Sequence, residues 1–401
     1  MAVDKIKKSK CIGCSSCSNI CPKGCIVMNE DKEGFLYPII NTANCCDCRL
    51  CESACPSMNY QEPRIYTNLA YAAFIKNDKS RFQSSSGGVF SAFAEYIIDK
   101  GGVVFGASYD DTFLVSHIFV EDKQNLEKLR GSKYVQSRIG NSYKNAKNFL
   151  ESGRLVYFSG TPCQIAGLHS FLRKSYDNLI TQDLICHGVP SPMVWLKYIE
   201  YRENLANSKT KKISFRSKIS GWNNFSILFE FENGTKYSTK ISNGNSDDPF
   251  MKLFLKNYCL RPSCYDCQFK NIHKHADITL ADFWGIQSVV PNFDDDKGVS
   301  AIIIHSDKGR KAFELISDKI TFKKTDFNKT YNWSYVNSSP LPIGRDKFMN
   351  SISKERFEDS YLKLMRFLKR NQIIKKITPK NIWMSLKYRV KHAISMVSKK
   401  R

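Results

Sequence analysis

The sequence predicts an α+β multidomain chain: a small cysteine-rich module, an α/β domain with an antiparallel β insertion, and a basic helical tail. Three observations predict it. Two matching cysteine runs fall within residues 1–62, strand-type and helix-type segments then alternate, and residues 361–401 hold thirteen Lys or Arg with no Asp or Glu. The expected boundaries are 1–62, 68–345 and 346–401.

The first run is Cys11-x2-Cys14-x2-Cys17-x3-Cys21-Pro22 and the second is Cys45-x2-Cys48-x2-Cys51-x3-Cys55-Pro56. A 4Fe-4S cube needs four thiolates from different directions; three on a tight loop supply one side and a distant fourth closes the cage. This is the two-cluster ferredoxin pattern. The fourth cysteine of each run serves the other cluster, which assigns Cys11, Cys14, Cys17 and Cys55 to the first and Cys45, Cys48, Cys51 and Cys21 to the second. Zinc, the competing reading of a C-x2-C pair, has no use for eight cysteines in two triplet-plus-one runs, each closed by Pro. Cys25 and Cys46 fall outside the spacing and read as bystanders. Glu33 to Ile40 reads as a short strand or hairpin arm.

After Pro63 the periodicity changes. Leu69 to Ile75 reads as a strand, and Ser84-Ser85-Ser86-Gly87-Gly88 opens a helix that runs through Asp99 and stops at Gly101-Gly102. Strand Val103 to Ser108 follows, then a helix from Ser142 to Ser152, strand Leu155 to Phe158, helix Gln164 to Leu172, strand Leu179 to Ile185 and helix Met193 to Asn204. This alternation argues for α/β layering. From Lys211 the pattern turns antiparallel: Ile213 to Arg216, then Phe225 to Phe231, the Asn233-Gly234 turn, and Lys236 to Ile241. A helix from Pro249 to Tyr258 and strands Ala276 to Leu280 and Val299 to His305 complete the domain.

A further cysteine group, Cys259-x4-Cys264-x2-Cys267, lies more than two hundred residues beyond the first run. Three cysteines need a fourth. Cys186 and Cys163, each just past a strand, are the available partners. A third 4Fe-4S cluster completed by Cys186 is the favoured reading, against zinc or a single reactive thiol. Small residues at the Ser84 to Gly88 helix start suit a phosphate, although such a start is more often a plain cap. A G-x-G-x-x-G after a strand is missing, so no nicotinamide-binding fingerprint is read here.

Five phrases occur in order: Ser86-Gly87-Gly88-Val89-Phe90-Ser91, Gly131-Ser132-Lys133-Tyr134-Val135-Gln136-Ser137, Gly160 to Leu168, Asp183 to Pro192, and Ala276 to Gly285. Together they resemble the beta-subunit family of coenzyme F420-reducing hydrogenases and dehydrogenases over roughly residues 68–310. The resemblance implies an α/β flavin domain holding FAD beside a 4Fe-4S cluster, with the flavin exchanging hydride with an organic acceptor. On this basis Ser86, Gly87, Gly88, Ser132, Lys133, Tyr134 and Gln136 are cofactor-binding candidates. Thr161, Cys163 and Gln164 would lie near the isoalloxazine ring, Cys163 as a catalytic thiol. A flavin fits physically, because clusters move single electrons whereas hydride carries two. The resemblance also brings in the deazaflavin coenzyme, for which no residue of its own is identified. Ala281 stands where the family pattern has Gly. His187, next to Cys186, is a candidate proton relay to reduced flavin, the alternative being a histidine hydrogen-bonded beneath the loop. His273 and His275 are expected to be solvated.

The expected function is an iron-sulfur flavoprotein oxidoreductase. The rival is a non-enzymatic or redox-sensing partner in a surface-polysaccharide biosynthesis complex. A redox partner protein or a small-molecule donor or acceptor is implied. The N-terminus shows no apolar signal segment and no stretch approaches the roughly twenty apolar residues of a membrane span, so a reducing cytoplasm is expected for the fifteen cysteines. The formal charge of +23 is concentrated in the tail, where Ile382, Trp383, Leu386, Val390, Ile394 and Val397 recur at helical spacing. That basic amphipathic pattern suits an anionic membrane surface at the inner face, an acidic partner, or simple packing with one solvated face. No nucleic-acid module accompanies the charge.

Overall fold

The computed structural model describes residues 3–62, 69–242, 245–272 and 274–377. The chain divides into two units, Met1–Ile343 and Gly344–Arg401.

The cysteine-rich module opens the first unit. It consists of α1 (Ser16–Ile20), the hairpin β1 (Ile26–Glu30) and β2 (Leu36–Ile40), and α2 (Leu50–Ser53), with Ile26 opposite Ile40 and Glu30 opposite Leu36. Its apolar contacts are few: Val3, Cys17, Cys25 and Ile26 form the centre. So small a core needs a metal or another body to hold it.

An eight-stranded sheet follows. Strand β3 (Leu69–Ile75) leads through α3 (Asp78–Gln83) and α4 (Val89–Asp99) to the hairpin β4 (Val103–Tyr109) and β5 (Val115–Val120). Helix α5 (Ser142–Glu151), β6 (Val156–Ser159), α6 (Pro162–Leu172), β7 (Leu179–Leu184) and α7 (Pro192–Ala206) continue the alternation. The insertion is a separate antiparallel sheet of β8 (Thr210–Ser217), β9 (Ser226–Phe231), β10 (Lys236–Ser242) and β11 (Asn245–Ser246), followed by α8 (Pro249–Leu255). The chain then returns with β12 (Ile278–Asp282), β13 (Ser300–Ile304), α9 (Asp307–Glu314) and β14 (Ile320–Thr325). Sheet order is β14-β3-β13-β12-β7-β6-β4-β5, in which β12, β7, β6 and β4 are parallel and the outer pairings antiparallel.

Side chains two apart along a strand share a face. Val103, Phe105, Val156 and Phe158 therefore meet α5 and α6 on one side, while Val104, Tyr157 and Ile180 meet Phe93 and Ile97 of α4 and Phe313 of α9 on the other. Both faces of the central strands are covered, which is why they read as nearly continuous apolar runs. The antiparallel insertion lies where the sequence places it. Strands β5 and β14 and helix α9 are additions to the reading; β14, Ile-Thr-Phe-Lys-Lys-Thr, is an edge strand whose lysines face solvent.

The second unit pairs α11 (Arg345–Ile352) with α12 (Phe357–Ile377), after the short α10 (Phe327–Thr330) at the end of the first. Ser351 Oγ donates to Glu355 at 2.7 Å and Lys363 is ion-paired to the same carboxylate. The amphipathic run at Ile382 to Val397 and His273 lie outside the described residues. Among the described residues no helix is long and apolar enough to cross a membrane.

Candidate functional site

Cys11, Cys14, Cys17 and Cys55 line one small cavity in the module, together with Ile12 and Gly13. Their charges act on one another: burial first, then Cys55 and Cys11, push the Cys14 thiol up to about 12. Cys51 and Cys48 are likewise coupled, Cys21 Sγ lies 3.4 Å from Cys25 Sγ, and Cys45 acts on Cys25. Cys25 thus borders the second cysteine set, while Cys46 is exposed. Cys45 and Cys48 are exposed, whereas Cys11, Cys14 and Cys17 are buried. One cysteine set faces solvent and the other faces the body.

The third group assembles Cys163, Cys186, Cys264 and Cys267. Burial raises the Cys163 thiol, and the charges of Cys267, Cys186 and Cys264 raise it further. Cys264 is pushed up to about 12 by burial and by Cys186 and Cys267. Lys270 and Lys274, both buried, oppose this: each lowers Cys267, and Lys270 lowers Cys186. Four half-buried thiols flanked by two buried cations suit an anionic group. Among the described residues no three Cys, His, Asp or Glu side chains converge tightly enough for a single metal ion. A cube asks for a wider arrangement, because each thiolate binds a different corner iron, and the residues fit that demand better than mononuclear zinc.

The sequence reading placed Cys259 in this group and Cys163 in the flavin pocket; in the structure Cys163 does not line the large cavity, and the charges of Cys267, Cys186 and Cys264 act on it. Cys163 sits in the first turn of α6 and packs with Cys14, Ala166 and Cys267. Cys259 is fully buried, its carbonyl accepting from the Ser191 amide at 2.8 Å, and it is not among the thiols that weigh most on the other three.

Helix α6 links the first and third groups. Gly167 stands one turn beyond Cys163, on the same face. A Cβ at Gly167 would come within 2.8 Å of Cys14 Cβ, and its carbonyl accepts from Ser16 Oγ at 2.7 Å. Arg261 makes the second link. Its fully buried guanidinium donates to the Cys11 carbonyl (2.8 Å), the Leu36 carbonyl (2.9 Å) and Gln136 Oε1 (3.0 Å), and lies 3.6 Å from Cys11 Sγ. Gly13, at φ +67°, leaves room for it; a Cβ there would be 2.7 Å from the guanidinium.

A cavity of about 980 Å³ opens at the carboxyl ends of β4, β6, β7 and β12, the position where open α/β sheets hold ligands. Cys186 and His187 line one wall, and Ser86, Gly88, Ser132 and Lys133 another. Helix α4 starts at Gly88 with no side-chain cap, which leaves its first amides for an anion. Ser85 Oγ accepts from the Ser132 amide at 2.6 Å and ties the two loops together. Burial pulls the Lys133 ammonium down to about 7. Lys218 Nζ clamps the serine loop from behind, donating to the carbonyls of Arg81 (2.8 Å), Ser86 (2.5 Å) and Lys297 (2.7 Å). Replacing Lys218 with Met strands three carbonyls, and a loss of about 2–4 kcal/mol is expected in urea unfolding at unchanged iron content.

The N-terminal and C-terminal models of the coenzyme F420 hydrogenase/dehydrogenase beta subunit match residues 70–142 and 153–330, and a 4Fe-4S dicluster model matches 10–59. The chain belongs to the coenzyme F420 hydrogenase/dehydrogenase beta-subunit family. It is 26% identical over 199 residues to the coenzyme F420-dependent sulfite reductase of Methanocaldococcus jannaschii, a match covering 47% of this chain and 29% of that protein. The chain therefore spans under a third of that relative. An uncharacterised ferredoxin of the same organism is 38% identical over 58 residues, covering 14% of this chain and 74% of the ferredoxin. A chain of the F420-reducing NiFe hydrogenase complex of Methanosarcina barkeri aligns with 16% identity and a TM-score of 0.44, over 75% of this chain and 92% of that one.

Within this beta-subunit fold the expected cofactor residues separate into two places. Ser86, Gly88, Ser132, Lys133, Tyr134, Thr161 and Gln164 line the cavity. Gln136 does not; its Nε2 donates to the Ile12 carbonyl at 3.1 Å, against the cluster loop. Gly87 is pressed on the sheet, where a Cβ would lie 2.4 Å from the Ala73 carbonyl oxygen. Gln164 Oε1 accepts from the Thr161 amide at 3.0 Å, so this pair also caps α6. His187 Nε2 meets Asn257 Oδ1 at 2.6 Å, and burial holds its pKa below the usual range. His275, expected to be solvated, instead packs edge-on against Tyr60, with a buried Nε2. Ala281 lines the cavity.

Sequence reasoning missed Arg216, Lys218 and Trp284. Arg216 forms a two-pronged ion pair with Asp282 (2.7 and 2.9 Å). Arg216 and Lys218 stand at the end of β8, in the insertion sheet, whereas Trp284 follows β12; Arg216 and Trp284 line the cavity.

Proposed function

We propose that the chain is an iron-sulfur flavoprotein oxidoreductase in which three 4Fe-4S clusters relay electrons to FAD bound in the large cavity. The observation that carries this reading is the alignment of three cysteine groups with one cavity. The Cys45 and Cys48 set is exposed, the Cys11, Cys14, Cys17 and Cys55 set adjoins α6, and Cys186 of the third set lines the cavity wall.

Bound FAD would supply the step from single electrons to hydride. The protein's residues supply its seat. The uncapped amides of α4, the Ser85 and Ser132 pair and Lys133 suit the diphosphate. The aromatic faces of Tyr134 and Phe254, stacked with centroids 4.9 Å apart, make the wall beside His187 apolar. His117 stays neutral because burial pulls its pKa down to about 4, and its two ring nitrogens, at Ser137 Oγ (2.9 Å) and the Ser159 carbonyl (3.0 Å), brace the floor. An organic hydride acceptor, with the deazaflavin coenzyme as the first candidate, would enter from the open side. The relative named as a coenzyme F420-dependent sulfite reductase motivates that candidate, and a separate redox protein is the expected donor at the exposed cysteine set.

Adding reduced methyl viologen anaerobically should bleach the flavin absorbance in the wild type, and a Cys186→Ser variant that retains its flavin should bleach far more slowly. Equal rates in the two proteins would show that electrons bypass the third cysteine group.

A further inference from the structure

Arg261 carries a charge that no carboxylate balances. The residue is 0% exposed, and among the described residues its side chain makes hydrogen bonds to the Cys11 and Leu36 carbonyls, the Gln136 amide oxygen and Cys11 Sγ. The rings of Tyr37 and Phe35, with centroids 4.4 and 5.4 Å from the guanidinium, add apolar surroundings. A buried cation without an anion beside it is costly, so such charges are paired in folded proteins. The group within reach that can supply the anion is Cys11, 3.6 Å away, as a thiolate ligand of an iron-sulfur cube.

The main chain of Arg261 belongs to a different cysteine group. Its amide donates to the Val189 carbonyl at 3.0 Å and its carbonyl accepts from the Cys264 amide at 2.9 Å, so it opens the loop that carries Cys264 and Cys267. Burial and the charges of Cys186 and Cys267 raise the Cys264 thiol, and the Arg261 charge acts in the opposite sense. One cation thus bears on ligands of two groups.

We infer that Arg261 is the shared counter-charge of the first and third clusters, raising the potential at which the first accepts an electron and, more weakly, that of the third. This rests on the reading that both cysteine groups hold 4Fe-4S clusters. Reduction adds one electron and no proton to a cube that is already an anion with its four thiolates. A buried cation and an N–H donor at a ligand sulfur therefore favour the reduced form over the oxidised one. The second set, whose Cys45 and Cys48 are exposed, is the internal control.

The test is an anaerobic redox titration of the full chain, with dithionite as electron donor through mediators and the clusters followed by EPR. Arg261→Gln should lower the first-cluster potential by about 59 mV or more, the equivalent of a tenfold drop in the reduced fraction at fixed potential for a one-electron couple. Arg261→Lys keeps the charge and should return most of that shift, even though it returns less of the stability. The wave missing from Cys264→Ser marks the third cluster, which should fall by less, and of the other two only one should move. If Arg261→Gln does not load its first cluster, Gln136→Glu decides the matter. It sets a carboxylate where Oε1 now lies 3.0 Å from the guanidinium, and it should lower the same potential. Wild-type potentials in Arg261→Gln or in Gln136→Glu would overturn the inference, as would an Arg261→Lys potential no higher than that of Arg261→Gln, which would assign the effect to lost packing. A wild type without 4Fe-4S signals on reduction would defeat the cluster reading itself, and the inference with it.

Discussion

Replacing Arg261 with methionine should destabilise the first unit by about 3–6 kcal/mol and loosen the first cluster. The side chain is fully buried and satisfies three acceptors on three segments: the Cys11 carbonyl in the cluster loop, the Leu36 carbonyl in β2 and Gln136 Oε1 beside the cavity. Each acceptor left without a donor costs about 1–3 kcal/mol. Methionine fills the volume but returns none of these bonds. Lysine keeps the charge yet cannot fan donors in three directions, so Arg261→Lys should recover less than half of the loss. Denaturant unfolding followed by the visible absorbance of the clusters checks this. Stability and iron content matching the wild type would show that the module is held by apolar contacts alone.

Replacing Cys264 with serine should remove about four irons per chain and leave the two N-terminal clusters in place. Serine is close in size, so the fold loses a ligand rather than a packing group. The other three thiols of the group are half-buried, packed against Ala166 and Phe269 or flanked by Lys270 and Lys274, and three thiolates do not close a cube. Cys259→Ser should leave the iron count near the wild-type value, and Cys163→Ser should lower it as Cys264→Ser does. That pair of results separates the fourth ligand suggested by chain spacing from the one suggested by the fold.

Local features of the site were legible in the sequence. The eight N-terminal cysteines stand at spacings that only a tight loop explains, and the alternation along Leu69–Ile75, Val156–Ser159 and Leu179–Leu184 marks strands covered on both faces. The Ser86-Gly87-Gly88 start of α4 and the Ser132 to Gln136 phrase read as flavin-site candidates, and all of these residues but Gly87 and Gln136 line the cavity. What the sequence hid depends on tertiary approach. Cys259 belongs by spacing to Cys264 and Cys267, but the segment around it pairs with Val189 to Ser191, while the start of α6 brings Cys163 in from a different strand. Arg261 and Lys218 carry no local mark, because nothing beside them in the chain announces three buried acceptors. The Trp222 and Trp284 stack joins the loop between β8 and β9, inside the insertion, to the segment just after β12, beyond the reach of any periodicity.

The central claim is that three clusters lead to one flavin, and stoichiometry tests it most directly. Iron, acid-labile sulfide and flavin should be quantified on a single anaerobic preparation of the full chain. About twelve irons, about twelve sulfides and one FAD per chain are expected. About eight irons with no flavin would contradict the account, leaving a two-cluster protein whose large cavity serves some other ligand.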